Sequence, residues 1–340
     1  MLNLILMDNL SKQLNNINSI VDLIGDTPLI KLNGFNGLSS DKQIFIKAEW
    51  FNPGGSIKDR AALSMIKDGI NKKKLNSKKI IMDSSSGNTA IAYAMIGSAL
   101  GFKVELVTPE NINIERKKTL QAYGAKIIYS SPFEGSDGAI LEARKMASKF
   151  PDKYFMPDQY NNEANPLAHY ITTGPEIWDQ TDGKVDGFVC ASGTGGTIGG
   201  VSKFLKEKNK DIKIYLSDPT GSALYNHIMN GELKAEGGSI TEGIGSSRIT
   251  KNFAEAKIDG AFSISDQESL PILYDLIQNE GLSLGTSCGV NIAGAIRLGK
   301  ELGPGKTIVT ILCDKSDKYN SKMFNKSFLK EKKLPIPSWL

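Results

Sequence analysis

Three times along this chain a cluster of glycine and hydroxyl residues opens a helical pattern: Asp83-Ser-Ser-Ser-Gly-Asn-Thr-Ala90, Ala191-Ser-Gly-Thr-Gly-Gly-Thr-Ile-Gly-Gly200 and Gly285-Thr-Ser-Cys-Gly289. The first two directly follow apolar runs, and strand, polar turn and helix in that order form the repeating unit of a parallel sheet. The surrounding periodicity agrees. Runs at 44–48, 80–83, 104–107 and 126–129 read as strands, alternating with amphipathic patterns at 57–70, 89–100, 114–123 and 138–148. After an irregular stretch near 150–165 come strands at 187–191, 213–217 and 307–313, and helices at 196–207, 268–279 and 290–302. The expectation is an α/β chain of two doubly wound parallel-sheet domains, which its 340 residues can fill. In such sheets a ligand sits beyond the carboxyl ends of the strands, where loops meet helix N-termini. Segment 232–249 has no period and reads as a loop able to cover that crevice.

The loop 191–200 suits a phosphate, since helix-start N–H groups and two threonine hydroxyls face one point and glycines let the backbone approach. It is not the dinucleotide fingerprint, because Ile198 stands where the last glycine belongs. Gly305-Lys-Thr307 imitates a P-loop but precedes a strand, with Lys300 in place of the first glycine. Loop 83–90 offers hydroxyls, Asn88 and N–H groups to a carboxylate or a cofactor edge, although plain helix capping uses the same residues. Three polar helix mouths point to one crevice and one small, multiply anionic ligand.

The turn Asn52-Pro-Gly-Gly, with Ser56 as a cap, opens a helix whose first turn holds Lys58. The positive end of a helix disfavours a charged amine, as an amine nucleophile or base requires. All but five of the 41 basic side chains are lysine, so it is the placement of Lys58 that sets it apart.

Composition removes other chemistries. A net charge of +4 spread along the chain makes nucleic acid a poor partner. Two histidines and three dispersed cysteines build neither the usual zinc site nor a disulfide framework, so no metal is expected and a reducing, cytoplasmic setting fits. His169 and His227 read as structural and Cys288 as packing. The first eighteen residues read as an N-terminal arm without signal-peptide features, and the longest apolar stretch, 90–102, is too short to span a membrane.

Together, Lys58 in Asn52-Pro-Gly-Gly-Ser-Ile-Lys-Asp-Arg60, the loop Ser84–Thr89, the cup Gly193–Thr197 and Gly243-Ile-Gly245 resemble the cysteine synthase (O-acetylserine sulfhydrylase) and cystathionine β-synthase family. The resemblance begins at Asp22-Leu-Ile-Gly-Asp-Thr-Pro-Leu-Ile-Lys-Leu32 and reaches the C-terminal strand. It implies a fold type II, tryptophan synthase β-like enzyme with pyridoxal 5'-phosphate in the cleft between two domains. The smaller, mobile one would be 46–164, and the larger 1–45 plus 165–340. The implied function is a transferase of cysteine biosynthesis, forming L-cysteine from O-acetyl-L-serine and sulfide through an aminoacrylate.

By the same resemblance Lys58 would carry the cofactor as a Schiff base and take the substrate α-proton. Gly193, Thr194, Gly195, Gly196 and Thr197 would hold the phosphate, Asn88 the ring hydroxyl and Ser287 the pyridine nitrogen. A neutral hydroxyl at that nitrogen weakens the electron sink and favours elimination. Ser85, Ser86, Gly87, Thr89 and Gln159 would bind the amino acid carboxylate, and Gly243 and Gly245 would line the entrance.

Ser85 replaces a threonine frequent in relatives, and Ser246-Ser-Arg248 replaces a more apolar continuation. Arg248 reads either as a surface residue or as a contact for an anionic leaving group, which would admit O-phosphoserine. Cystathionine β-synthase, a sulfide-releasing cysteine lyase and a non-catalytic scaffold for serine acetyltransferase remain rival readings. A homodimer is the implied assembly.

Overall fold

A computed structural model of the chain describes residues 17–33, 43–110 and 112–340. All but the end of the segment read as an N-terminal arm lies outside them. The strands are β1 (Leu29–Lys31), β2 (Gln43–Ala48), β3 (Ile80–Ser84), β4 (Val104–Pro109), β5 (Lys126–Ser130), β6 (Tyr154–Phe155), β7 (Gly187–Cys190), β8 (Lys213–Pro219), β9 (Gly260–Ile264) and β10 (Thr307–Leu312).

They form a six-stranded sheet of order β1-β2-β10-β7-β8-β9 and a four-stranded sheet of order β5-β4-β3-β6. Every pair is parallel except β1 with β2, in which Leu29 faces Lys47. Three strands go beyond the sequence reading. β6 has two residues, β1 is a three-residue antiparallel edge, and β9 mixes glycine and serine into a short apolar run.

Strands of a parallel sheet covered on both faces read as continuous apolar runs, and β4 and β10 are buried at every residue. Helix Thr286–Leu302 packs with Ile44, Ile46, Ile308 and Leu312 on one face of the large sheet, while Phe188, Ile214, Val309 and Ile311 join the Gly196–Lys208 helix on the other. Helix Asn88–Leu100 is apolar all round and buried from Thr89 to Gly97, in the core beside β3 and β4. It ends on Gly101 at φ 77°, a left-handed stop that glycine takes at little cost. The segment between helix Leu224–Asn230 and helix Lys251–Ala254 contains neither helix nor strand, as expected of a covering loop.

Candidate active site

Lys58 begins the helix Lys58–Asn71, and its N–H is taken by the Ser56 hydroxyl at 3.3 Å. A buried ionic cluster fixes that helix start. Arg60 donates from Nε to Glu49 Oε2 (2.8 Å) and from Nη2 to Glu49 Oε1 (2.9 Å), while Nη1 and Nη2 reach the two Glu176 oxygens at 2.5 and 2.7 Å. Lys47 Nζ adds a second cation to Glu176 at 2.7 Å. Burial opposes ionisation of Glu176, but the two cations win and hold its carboxyl at about 2. Asp59 accepts from Gly54 N–H at 2.6 Å, and burial pushes its carboxyl up to about 7.

Lys58 opens into a cleft of about 900 Å³ whose walls include Ser85, Ser86, Gly87, Asn88, Thr89, Gln159, Gly193, Thr194, Gly243, Gly245 and Ser287. Gly195, Gly196 and Thr197 line an adjoining recess that also touches Lys58, Gly193 and Thr194. All fifteen predicted site positions therefore meet at these two connected spaces.

The recess presents donors suited to an anion. Helix Gly196–Lys208 starts at Gly195, which has no side chain to cap it; Gly196 N–H makes a long contact to Thr194 Oγ1 at 3.4 Å, and further first-turn N–H groups are left for a ligand. Gly195 sits at φ 85°, and a side chain there would strike the Phe253 backbone. A Cβ on Gly196 would overlap Asn165 Oδ1, whose amide nitrogen donates to Gln159 O (2.8 Å) and Thr194 Oγ1 (3.1 Å). Ser192 Oγ, in the recess wall, is buried without a partner. His169 lies beneath, with Nδ1 3.0 Å from Thr173 Oγ1 and Nε2 3.4 Å from Thr197 Oγ1. Burial, with Arg60 and Lys58 nearby, holds its imidazole neutral, consistent with a structural part.

In the opposite wall Ser85 behaves as a cap, its Oγ accepting from Gly87 and Ala90 N–H at 3.3 and 3.2 Å. Thr89 Oγ1 donates to Gln159 Oε1 at 2.9 Å, and Gln159 Nε2 donates to Ser84 O at 3.2 Å, so these two predicted residues form one buried unit. Helix Thr286–Leu302 starts four residues earlier than predicted, which puts Ser287 in its first turn and against Cys313. Burial pushes the Cys313 thiol up to about 11 and raises the Cys288 thiol well above its ordinary value.

The covering loop closes over the cup. Gly245 N–H donates to Ser192 O at 2.8 Å, and a Cβ at Gly193 would collide with Gly243 O. Ion pairs hold its rim to the opposite wall, Arg116 Nη1 to Glu242 Oε2 at 2.8 Å and Arg248 Nη1 to Asp137 Oδ1 at 2.7 Å, and on its own side Lys322 Nζ meets Glu242 Oε1 at 2.7 Å. Arg248 also lies over the Tyr160 ring, 5.1 Å from its centroid.

The sequence reading missed Asp314 and Lys318. Both follow β10 and both grip Asn88. Their signal was positional: Asp314 stands just beyond the carboxyl end of a central strand, where ligand-site residues of α/β sheets gather. Among the described residues no cluster of histidine, cysteine, aspartate and glutamate could hold a metal ion.

The pattern of the family described as "Pyridoxal-phosphate dependent enzyme" matches residues 20–314. A protein named cysteine synthase from Dictyostelium discoideum is 38% identical over 328 residues, 92% of this chain and 86% of that protein. A crystal structure of cysteine synthase from Entamoeba histolytica is 33% identical and superposes with a TM-score of 0.84, covering 92% of this chain and 91% of its own. An O-acetylserine dependent cystathionine beta-synthase structure from Helicobacter pylori is 34% identical with a TM-score of 0.83, covering 90% and 98%.

Proposed function

The chain belongs to the family of pyridoxal-phosphate dependent enzymes, and from that premise we propose that it makes L-cysteine from O-acetyl-L-serine and sulfide by β-replacement, with Lys58 as its amine. Its class is that of a cysteine synthase using pyridoxal phosphate. The observation that carries the reading is the meeting of one lysine and three polar helix mouths on a single cleft.

The residues present fit the cofactor. The uncapped helix start at Gly195 and the unpartnered Ser192 hydroxyl suit a phosphate, and Gly193 to Thr197 would hold it. Asn88 would meet the ring hydroxyl and Ser287 the pyridine nitrogen. When bound, the cofactor supplies an electron sink for the α-carbon of an amino acid, which makes loss of a β-substituent feasible.

The protein does the rest. Ser85, Ser86, Gly87, Thr89 and Gln159 would hold the substrate carboxylate, the Ser85 hydroxyl still free to donate while its lone pairs cap the helix. Lys58 Nζ takes the proton from Cα as the Cβ–O bond breaks and acetate leaves. Sulfide then forms the Cβ–S bond, and Nζ returns the proton to Cα. Dividing the substitution this way lowers each barrier. The loop carrying Gly243 and Gly245, pinned by Glu242 to Arg116, would keep competing water out.

The four-stranded sheet lies wholly between Ile80 and Phe155, which supports a smaller mobile domain near 46–164 against a larger one from 1–45 plus 165–340. Because β2 belongs to the six-stranded sheet, the first boundary would fall a few residues later. Arg248 lines the cleft beside Asp137 and Tyr160, and an assay with O-phosphoserine as donor decides between the surface reading and contact with an anionic leaving group. No described helix is long and apolar enough to cross a membrane. A cytoplasmic homodimer, and docking of serine acetyltransferase at the cleft, complete the proposal.

The room in the cleft favours one second reading, with homocysteine as acceptor and cystathionine as product. Product analysis with O-acetylserine and either sulfide or homocysteine separates the two. Cysteine from sulfide at the higher kcat/KM supports cysteine synthesis, and the reverse preference overturns it.

A further inference from the structure

The side-chain amide of Asn88 is held from both ends. Its Nδ2 donates to Asp314 Oδ2 at 2.8 Å, and its Oδ1 accepts from Lys318 Nζ at 2.8 Å. Asp314 is wholly buried and anchored by the Tyr319 hydroxyl, which donates to the same Oδ2 at 2.8 Å, while its Oδ1 has no partner. Lys318 is nearly buried and places its ammonium 3.3 Å from Gly55 O and 4.0 Å from Asp314 Oδ2. Gly55 belongs to the turn that leads into Lys58. One cation and one carboxylate thus tie three site elements together: the Lys58 turn, the mouth of helix Asn88–Leu100 and the end of β10.

An amide in water turns over freely, and either end can face a ligand. Here a flip would put N–H groups against the Lys318 ammonium and the carbonyl against the Asp314 carboxylate, replacing two charge-assisted hydrogen bonds with two repulsions. The only hydrogen-bonding capacity the nitrogen keeps in reserve is its second N–H.

Given the role proposed above for Asn88, we propose that Asp314 and Lys318 are positioning residues that lock its amide as a hydrogen-bond donor toward the ring oxygen of the bound cofactor. A donated N–H stabilises that oxygen in its deprotonated form, whereas an amide carbonyl turned to it would favour the protonated one. The pair therefore selects a protonation state of the cofactor without touching it.

The test uses holoenzyme and reads the absorbance of the bound cofactor. The ratio of the long-wavelength band (ring oxygen deprotonated) to the near-ultraviolet band (ring oxygen protonated) is compared among variants. The double variant Asp314→Leu with Lys318→Met removes one charge of each sign and leaves an apolar pair, an exchange that buried ion pairs tolerate. It lowers the ratio about fivefold, the worth of one ordinary hydrogen bond, to the level of Asn88→Ala. Each single variant falls between, and Lys318→Arg keeps the wild-type ratio. Where the Asp314 variants fail to fold, the less buried Lys318→Met carries the comparison alone. A wild-type ratio in the Asp314 and Lys318 variants beside a low ratio in Asn88→Ala overturns the lock and leaves the role of Asn88 standing. An unchanged ratio in Asn88→Ala overturns that role and the lock with it.

Discussion

Replacing Arg60 with methionine removes the cation that holds the start of the Lys58 helix while keeping a side chain of similar length. Glu49 keeps the Thr27 hydroxyl at 2.7 Å and the Asn52 amide at 2.8 Å, and Glu176 keeps Lys47 at 2.7 Å, so neither carboxylate is wholly abandoned. Each nonetheless loses a two-point guanidinium contact inside the protein. The Glu176 carboxyl lies at about 2 against an ordinary 4.5, which by linkage corresponds to about 3 kcal/mol of folding free energy from its charged form. Lys47 keeps part of the Glu176 share in the variant, while Glu49 adds a loss of its own, and removal of one partner from a buried pair costs about 3–5 kcal/mol. Because the folded value is depressed, this stability is fully present above about pH 4.5 and is lost as the pH falls toward 2. Urea unfolding at pH 7.5 should show Arg60→Met about 3–5 kcal/mol less stable than wild type. The gap should narrow as both are assayed at decreasing pH below 4.5, and cofactor retention should fall in parallel. A variant within about 1 kcal/mol of wild type, or a gap that does not narrow in acid, refutes the reasoning.

Three further outcomes follow from the same geometry. Gly196→Ala drives a methyl group into Asn165 and should weaken cofactor binding at least tenfold in equilibrium dialysis, about 1.4 kcal/mol, with little change in secondary structure by circular dichroism. Asp83 is buried with its carboxyl raised to about 7 by desolvation, so its cost to stability grows as the pH rises from about 4 to 7. Asp83→Asn, which can keep the Tyr93 contact, should gain stability over wild type across that window in thermal melts, and a constant difference would count against the assignment. Glu242→Gln breaks the half-exposed link between Arg116 and Lys322 across the cleft mouth; it should raise KM for the amino acid about two- to fivefold with kcat nearly intact, the effect shrinking in high salt.

Much of the parallel architecture was legible because buried strands carry continuous apolar runs and several crossover helices, such as Lys58–Asn71, carry an amphipathic period, although Asn88–Leu100 is apolar all round. β6 and β1 were not, since two or three residues hold no period, and the glycine and serine of β9 dilute its pattern. At the site, Lys58 and the Gly193–Thr197 cup were legible because their chemistry is local: a helix start, a cluster of glycines, hydroxyls at a turn. Asp314 and Lys318 were hidden because they act on Asn88 from more than 200 positions away. Ser85 marks a limit of another kind. The same hydroxyl that would meet a substrate carboxylate also caps a helix, and no spacing rule distinguishes the two uses.

The central claim is that Lys58, alone among the many lysines of this chain, carries the cofactor. Borohydride reduction of the holoenzyme, followed by proteolysis and mass spectrometry of the cofactor-labelled peptides, tests it directly. The label should fall on the peptide containing Lys58 and vanish in Lys58→Ala, whose fold persists by circular dichroism. A stoichiometric label on any other lysine, or full cysteine-forming activity in Lys58→Ala, contradicts it.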